Sequence, residues 1–560
     1  MKKLMAIALL AACRTVPNPP ITPAPAPAPE PTPAPAPQTK PAETPMPAIT
    51  QTAQPQTLQF PDEDFRRTQP QGTAPHDFKL PAVKPFKLKN GIQVYLVEQH
   101  NLPIVSMDLN FDGGSITDPK GKDGLAGACM SLLTEGTQKL DKIQYSEALA
   151  DVASNINAYA GDDTQGVQLA SLTKHLDTTF ALFADTILTP GMRESDFDRL
   201  KKRRIEAVRQ SRTSPTSIPG RVTGAILFGP EHPLGSVLTE DEVKAVTLDD
   251  CKAYVSKWLK PKNARLFVVG DLTEEQLRAQ FEKSPLGAWT GAGPKLAALP
   301  KPKTMKGKIF FVHVPNAAQS NVMMLSFGPT RTAPDYFANS MMGAVFGGSF
   351  TSRLNMNLRE DKGYSYGARG GFGYSPKQFG QLTVNAPVQA DSSYQALREV
   401  HRELVELASG KRPVTDEELD REKTNAILAL PGRFATAQAA LGQYRSLVYY
   451  GLPLDYFNTY VEKVKKVTAA QAKQSATKHL KEKDAVFLVV GDGDAKMIVD
   501  DPKAGALPKD RKKPYEVDGR QLTLREALQK LAEKGDVGAG GLVELDVDGN
   551  PITPANAKSK

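Results

Sequence analysis

The sequence predicts an α+β protein built from two copies of one domain, and three observations carry that reading. Residues 246–271 (VTLDDCKAYVSKWLKPKNARLFVVGD) align without a gap to residues 467–492 (VTAAQAKQSATKHLKEKDAVFLVVGD), at an offset of 221 residues and with twelve identities. Each copy opens with two strand-like runs, 92–97 and 104–111 in the first and 308–314 and 321–327 in the second. Between those runs and the closing strand lie long amphipathic stretches, of which 173–188 and 391–408 are the clearest. Strands at the ends of a repeat with helices gathered between them make an α+β domain.

Within the aligned segment, each copy reads as a helix capped by Thr247 or Thr468, then a buried strand over 266–269 or 487–490, then a Gly-Asp turn. The Pro-rich stretch 293–303 separates the copies, which places the domains at 76–292 and 304–497 and leaves 498–560 as a tail. In the tail, residues 524–534 read as a helix with Thr523 and Glu526 in a capping box. Asp548-Gly549 reads as a turn, since the surrounding Asp residues lack the spacing and the terminal Glu of a calcium loop.

Residues 1–12 read as a lipoprotein signal peptide. Lys2 and Lys3 precede an apolar run, 4–12, too short to span a membrane, which ends in Leu10-Ala11-Ala12-Cys13. The small residues before Cys13 resemble the lipobox of bacterial lipoproteins, which implies that Cys13 carries lipid and becomes the mature N-terminus. Residues 13–75 are dominated by Pro and Ala, a composition that forms no core and favours polyproline II at about 3 Å per residue. This stretch reads as a disordered tether between a membrane and a folded body. The expected location is the bacterial cell envelope, lipid-anchored and facing the periplasm or the cell exterior.

Composition narrows the function classes. With 560 residues, 40% hydrophobic and 24% charged, there is material for more than one core. The net charge of +8 is carried by basic stretches such as 201–204 and 463–466, without interleaved aromatics, which predicts solvated faces and no nucleic-acid partner. After Cys13 only Cys129 and Cys251 remain, both in apolar helix-like stretches, and they read as buried free thiols.

Residues 123–137 (DGLAGACMSLLTEGT) resemble the active-site helix of the insulinase/pitrilysin family of zinc metallopeptidases, where Gly-Leu-Ala leads into H-x-x-E-H and Gly-Thr closes the segment. In that motif two His at i and i+4 bind zinc from one helix face, while the Glu polarises the attacking water. The three positions here hold Gly127, Met130 and Ser131. Gly127 has no ligand atom, Met130 is no base, and Ser131 is a poor zinc donor. The family's third ligand, a downstream Glu, falls at Ala207 with Glu206 beside it, and the seven His of the chain include no H-x-x-x-H pair. The expectation is therefore no metal and no cofactor in this chain.

The second half differs. Residues 346–354 (FGGSFTSRL) and 358–366 (LREDKGYSY) resemble the family's C-terminal glycine-rich segment and its L-R-E-x-x-G-x-x-Y motif. The resemblance covers about residues 86–493 and implies two duplicated insulinase-like domains, of the metalloenzyme LuxS/peptidase-like fold, forming a clamp. It also implies that Arg359 and Tyr366 bind the substrate main chain and stabilise its oxyanion, and that Gly347 and Gly348 admit a substrate backbone. A guanidinium and a phenol can both donate to a carbonyl that becomes an oxyanion. The plainer alternatives are an Arg paired with Glu360 or Asp361, a core Tyr, and glycines that serve a turn; Arg353 only marks the motif.

With the zinc positions lost, the resemblance implies a non-catalytic subunit acting beside a second polypeptide that has an intact H-x-x-E-H and carries the zinc. A heterodimer is the simplest such assembly, with peptides or small unfolded proteins enclosed between the halves as substrates. Two other classes stay open: a structural or assembly subunit, to which Arg359 and Tyr366 would be dispensable, and a peptide-binding module without a catalytic partner.

Overall fold

The computed structural model describes residues 67–68, 80, 82–304, 308–501, 503, 512–538 and 540–552. The chain divides into two units, 1–74 and 75–560, and the second holds both repeats. Cys13 and the Pro/Ala-rich stretch, apart from residues 67–68, lie outside the described residues.

The first half supplies β1 (Lys84–Lys87), β2 (Gln93–Glu98), β3 (Ile104–Asp112), β4 (Asn155–Ala160), β5 (Thr164–Leu172) and β6 (Arg265–Gly270). They form one six-stranded sheet in the order β1-β2-β6-β3-β5-β4, with β6 parallel to β2 and antiparallel to β3. The strand that closes the repeat therefore inserts at the centre, which explains why Leu266, Phe267, Val268 and Val269 are buried in succession instead of alternating.

The second half repeats this plan with β7 (Ile309–His313), β8 (Gln319–Gly328), β9 (Arg369–Gly373), β10 (Gly380–Gln389) and β11 (Val486–Gly491). Its sixth strand, β12 (Leu542–Leu545), comes from the tail and runs parallel to β7 at the sheet edge. Nothing in the tail's sequence predicted this strand, because only Leu545 of its four residues is fully buried and the apolar signal is correspondingly weak.

The helices of the first half include α1 (Leu125–Leu132), α2 (Leu176–Leu188), α3 (Glu194–Ser211), α4 (Ile218–Phe228) and α5 (Leu248–Trp258). Those of the second half include α6 (Tyr336–Gly343), α7 (Ser393–Ala408), α8 (Asp416–Leu428), α9 (Ala437–Tyr450) and α10 (Ala469–His479), and the tail has α11 (Leu524–Lys534). Thr247, Thr468 and Thr523 close capping boxes with Asp250, Gln471 and Glu526, the start signals visible in the sequence.

Two helices are exchanged between the halves. Ile218, Val222 and Ile226 of α4 pack with Phe310, Val312 and Leu488 of the second sheet. Leu441, Tyr444 and Leu447 of α9 share a core with Val97, Phe267 and Val269 of the first sheet. Each such side chain contributes about 1.5–3 kcal/mol relative to exposure, so the exchange binds the halves firmly. Polar contacts reinforce it. Arg445 Nη1 on α9 meets Asp108 Oδ2 on β3 at 2.6 Å, the Tyr449 hydroxyl donates to Asp163 at 2.7 Å, and Arg221 on α4 meets Asp548 of the tail at 2.6 Å. α4 and α9 thus occupy part of the space between the two sheets.

A second expectation is corrected by the covalent structure. Cys129 of α1 and Cys251 of α5, 122 residues apart, form a disulfide with their Cα atoms 4.7 Å apart, so they are not free thiols. Their apolar setting was legible, but the crossing of α1 on α5 that brings the sulfurs together is a tertiary contact that spacing cannot encode.

Candidate functional site

The motif helix α1 is intact as architecture. Gly124 stands at its N-terminus in the left-handed region, φ 81°, and Gly136 beyond its C-terminus has φ 118°, so both motif glycines are held by backbone geometry. Asp118 accepts the Gly124 and Ala126 amide hydrogens at 2.8 Å each, capping the helix. Burial pushes its carboxyl up to about 7 against the pull of those two amides.

The chemical positions are empty of chemistry. Met130 is wholly buried in the first core, and the Ser131 hydroxyl donates back to Gly127 O at 2.7 Å. A methyl group on Gly127 would lie 3.4 Å from Arg204 Nη2 and 3.5 Å from Nη1, so a guanidinium of α3 fills the space beside the first ligand position. Arg204 is fixed there by donating to Gly124 O at 3.0 Å. Glu206 points away into an exposed ion pair with Arg209 at 2.6 Å. A set made of Gly127, Met130, Ser131 and Ala207, with a cation lodged against it, does not fit zinc. Arg204, which the sequence reading passed over, lies three residues before Ala207 on the same face of α3.

The second-half segment begins where α6 widens into a π-helical turn, Ala344–Gly348, and passes a short helix, Arg353–Asn355, into a second one, Met356–Asp361. Such turns recur at functional sites. Gly347 is buried, and a methyl group on it would fall 2.6 Å from Gly370 N of β9, so its lack of a side chain serves close packing; Gly348 is exposed. Arg353 is buried and grips Glu418 on α8 and the carbonyls of Arg412 and Pro413.

Arg359 lies over the Phe350 ring at 4.7 Å and makes one exposed contact with Glu360, Nε to Oε1 at 3.4 Å. A pair of that kind is worth little in water and leaves the guanidinium available. Tyr364 is buried with its hydroxyl on Asp500, whereas Tyr366, two residues on, is 89% exposed. Asn355, fully buried, holds the segment together: its Nδ2 donates to Phe350 O at 2.6 Å, and its Oδ1 accepts from Ala368 N at 3.1 Å and Arg369 Nη1 at 2.8 Å. Neither Phe350 nor Asn355 was singled out by sequence, since a role in shaping a loop leaves no spacing signal. Among the described residues no hydrogen bond or ion pair joins α1 to the Arg359–Tyr366 segment.

The chain matches the sequence profile of the insulinase family (peptidase family M16) over residues 93–222 and that of the peptidase M16 inactive domain over residues 245–426, together more than half its length. The chain belongs to the insulinase family. Among its relatives, the non-peptidase homolog YmxG of Helicobacter pylori is 22% identical over 418 residues, covering 71% of this chain and 91% of the relative. The zinc protease PqqE of the same organism is 27% identical over 206 residues, 35% of this chain and 45% of that protein. A crystal structure of a peptidase M16 inactive domain from Pseudomonas fluorescens superposes with a TM-score of 0.67 at 25% identity, covering 73% of this chain and 98% of that one. This member of the insulinase family lacks H-x-x-E-H and keeps the family's two-domain fold.

Proposed function

We propose that this insulinase-family chain is the non-catalytic subunit of a two-chain peptidase, lending Arg359 and Tyr366 to a partner that carries H-x-x-E-H and zinc. The observation that carries the reading is the exposure of Tyr366: a phenol 89% in solvent serves no packing, and it follows by seven residues an Arg whose guanidinium is held only by the Phe350 ring and an exposed contact with Glu360. A carbonyl of a bound peptide becoming an oxyanion would find two donors there that undergo no proton chemistry of their own. The loss of ligand chemistry at Gly127, Met130 and Ser131 beside the retained Arg359 and Tyr366 supports a site completed by another polypeptide. That one bacterium has both a non-peptidase homolog and a zinc protease resembling this chain supports the same pairing.

The substrate class is peptides or small unfolded proteins, and the setting is the cell envelope, with Cys13 as the lipid attachment point. The Cys129–Cys251 disulfide supports an oxidising compartment. Cys13→Ser is expected to release the protein from membranes in fractionation; full retention of the variant, with no lipid on any residue, would overturn the anchor. Elemental analysis of the purified chain is expected to find far less than one zinc per molecule, and peptide turnover by the chain alone should be nil.

The decisive experiment reconstitutes Tyr366→Phe and Arg359→Ala variants with the H-x-x-E-H partner, checks assembly by size and melting, and measures peptide turnover. Loss of one oxyanion donor typically costs about 3 kcal/mol, so turnover is expected to fall roughly a hundredfold for Tyr366→Phe with assembly intact. Full activity in both variants would refute the shared site and favour a purely structural subunit.

A further inference from the structure

Between the halves, where α9 passes the strand ends of the first sheet, lies a cavity of about 220 Å³. Its lining is unlike an interface left imperfectly packed, because five charged residues face it: Asp112, Asp163, Arg265, Lys377 and Arg445. Two of the three cations are committed along one edge only. Arg265 uses Nη2 and Nε on Asp112 and Asn110, and Arg445 uses Nη1 on Asp108 and Tyr159. The Lys377 ammonium, 5.6 Å from the Tyr449 ring, is attracted by the Asp163 carboxylate at longer range and has no direct ion pair or hydrogen bond among the described residues. On the acidic side, Asp163 accepts the Tyr449 hydroxyl, and Asp112 engages Arg265 through a single oxygen.

Both signs of charge thus retain unused hydrogen-bonding capacity around one small, partly open cavity. A simple anion would meet two carboxylates, a simple cation would meet three cations, and an apolar ligand would strip all of them of water. The molecule that satisfies the lining carries a carboxylate at one end and an ammonium at the other. The volume suits a few non-hydrogen atoms and excludes an extended peptide.

We propose that this cavity binds a small zwitterion, an α-amino acid or a dipeptide, whose carboxylate is taken by Lys377 with the free guanidinium edges of Arg265 and Arg445 and whose ammonium is taken by Asp112 and Asp163. The site is separate from Arg359 and Tyr366 and needs no partner chain. It gives a protein of this kind a place to hold a molecule chemically identical to the end products of peptide hydrolysis.

The test is isothermal titration calorimetry of the purified protein with alanine, with alanylalanine, and with N-acetyl-alanylalanine amide, which keeps the dipeptide's shape without its charges. Saturable binding of alanine or alanylalanine is expected, whichever binds more tightly setting the ligand length, and the blocked compound should not bind. Lys377→Ala, on an exposed loop residue, should weaken the zwitterion at least tenfold without lowering the melting temperature of the free protein. Ser446→Phe, which adds a ring from the α9 wall, should abolish binding. The proposal is overturned by absence of saturable binding of either zwitterion, by equal binding of the blocked compound, or by affinities unchanged in both variants.

Discussion

Replacing Arg445 with Met is expected to destabilise the protein by about 3 kcal/mol or more in denaturant unfolding, because it leaves the buried Asp108 carboxylate without its counterion. Asp108 is wholly buried on β3, and its other partners, the Tyr159 hydroxyl at 3.1 Å and Gln168 Nε2 at 3.1 Å, are neutral. Burial already pushes the Asp108 carboxyl above its ordinary value, with Arg445 the largest force opposing the shift. A carboxyl raised in the folded state binds a proton there before it does in the unfolded chain, so its contribution to stability falls as pH rises from the ordinary carboxylate pKa, about 3.9, towards the folded one. Without Arg445 that window widens. The loss in Arg445→Met should therefore be smallest near pH 4 and largest near pH 8. Asp108→Leu combined with Arg445→Met removes both charges and should recover much of the loss. A pH-independent loss, or no recovery in the double variant, would show that packing rather than charge is at stake.

The disulfide carries the second large effect. Cross-linking residues 122 apart restricts the unfolded chain, and for a loop of that size the entropic contribution is about 4–5 kcal/mol. The Cys129→Ala/Cys251→Ala variant and the reduced wild type are both expected to unfold at markedly lower denaturant concentration than the oxidised protein. Thiol titration under denaturing conditions before and after reduction gives the count of bridged sulfurs. If oxidised and reduced proteins melted alike, the bridge would have no part in holding α1. In a helix where zinc ligands are gone, the bridge from Cys129 to α5 is a covalent hold that does not depend on metal.

The duplication was legible because the repeated segment pairs a Thr-capped helix with a strand so apolar that only the centre of a sheet accommodates it, and Leu266–Val269 and Phe487–Val490 occupy those centres. The lost zinc positions were equally plain, since Gly127, Met130 and Ser131 declare their chemistry by residue type alone. What escaped were relations between distant segments. Arg204 meets Gly127 across 77 residues, Cys129 meets Cys251 across 122, and the strand over 542–545 finds its place only because β7 presents an open edge. The roles of the glycines divided likewise: a motif suggested that Gly347 admits a ligand, and the Gly370 backbone beside it accounts for the same absence of a side chain.

The exchange of α4 and α9 has a consequence for how such a chain is made. All six strands of the first sheet are available once residue 270 has left the ribosome, yet Leu441, Tyr444 and Leu447, which cover Val97, Phe267 and Val269, follow some 170 residues later. At roughly 5–20 residues per second, that face stays uncovered for about ten seconds or longer during synthesis. Meanwhile α4 is finished and has no second sheet to lie on. Each half leaves one apolar face to be covered by the other's helix, and a chain released or translocated before residue 450 presents the face awaiting α9 to whatever is nearby. Expression of residues 75–292 alone should therefore yield aggregates or a chaperone-bound species, while co-expression with residues 293–560 should return soluble protein through the reciprocal helices.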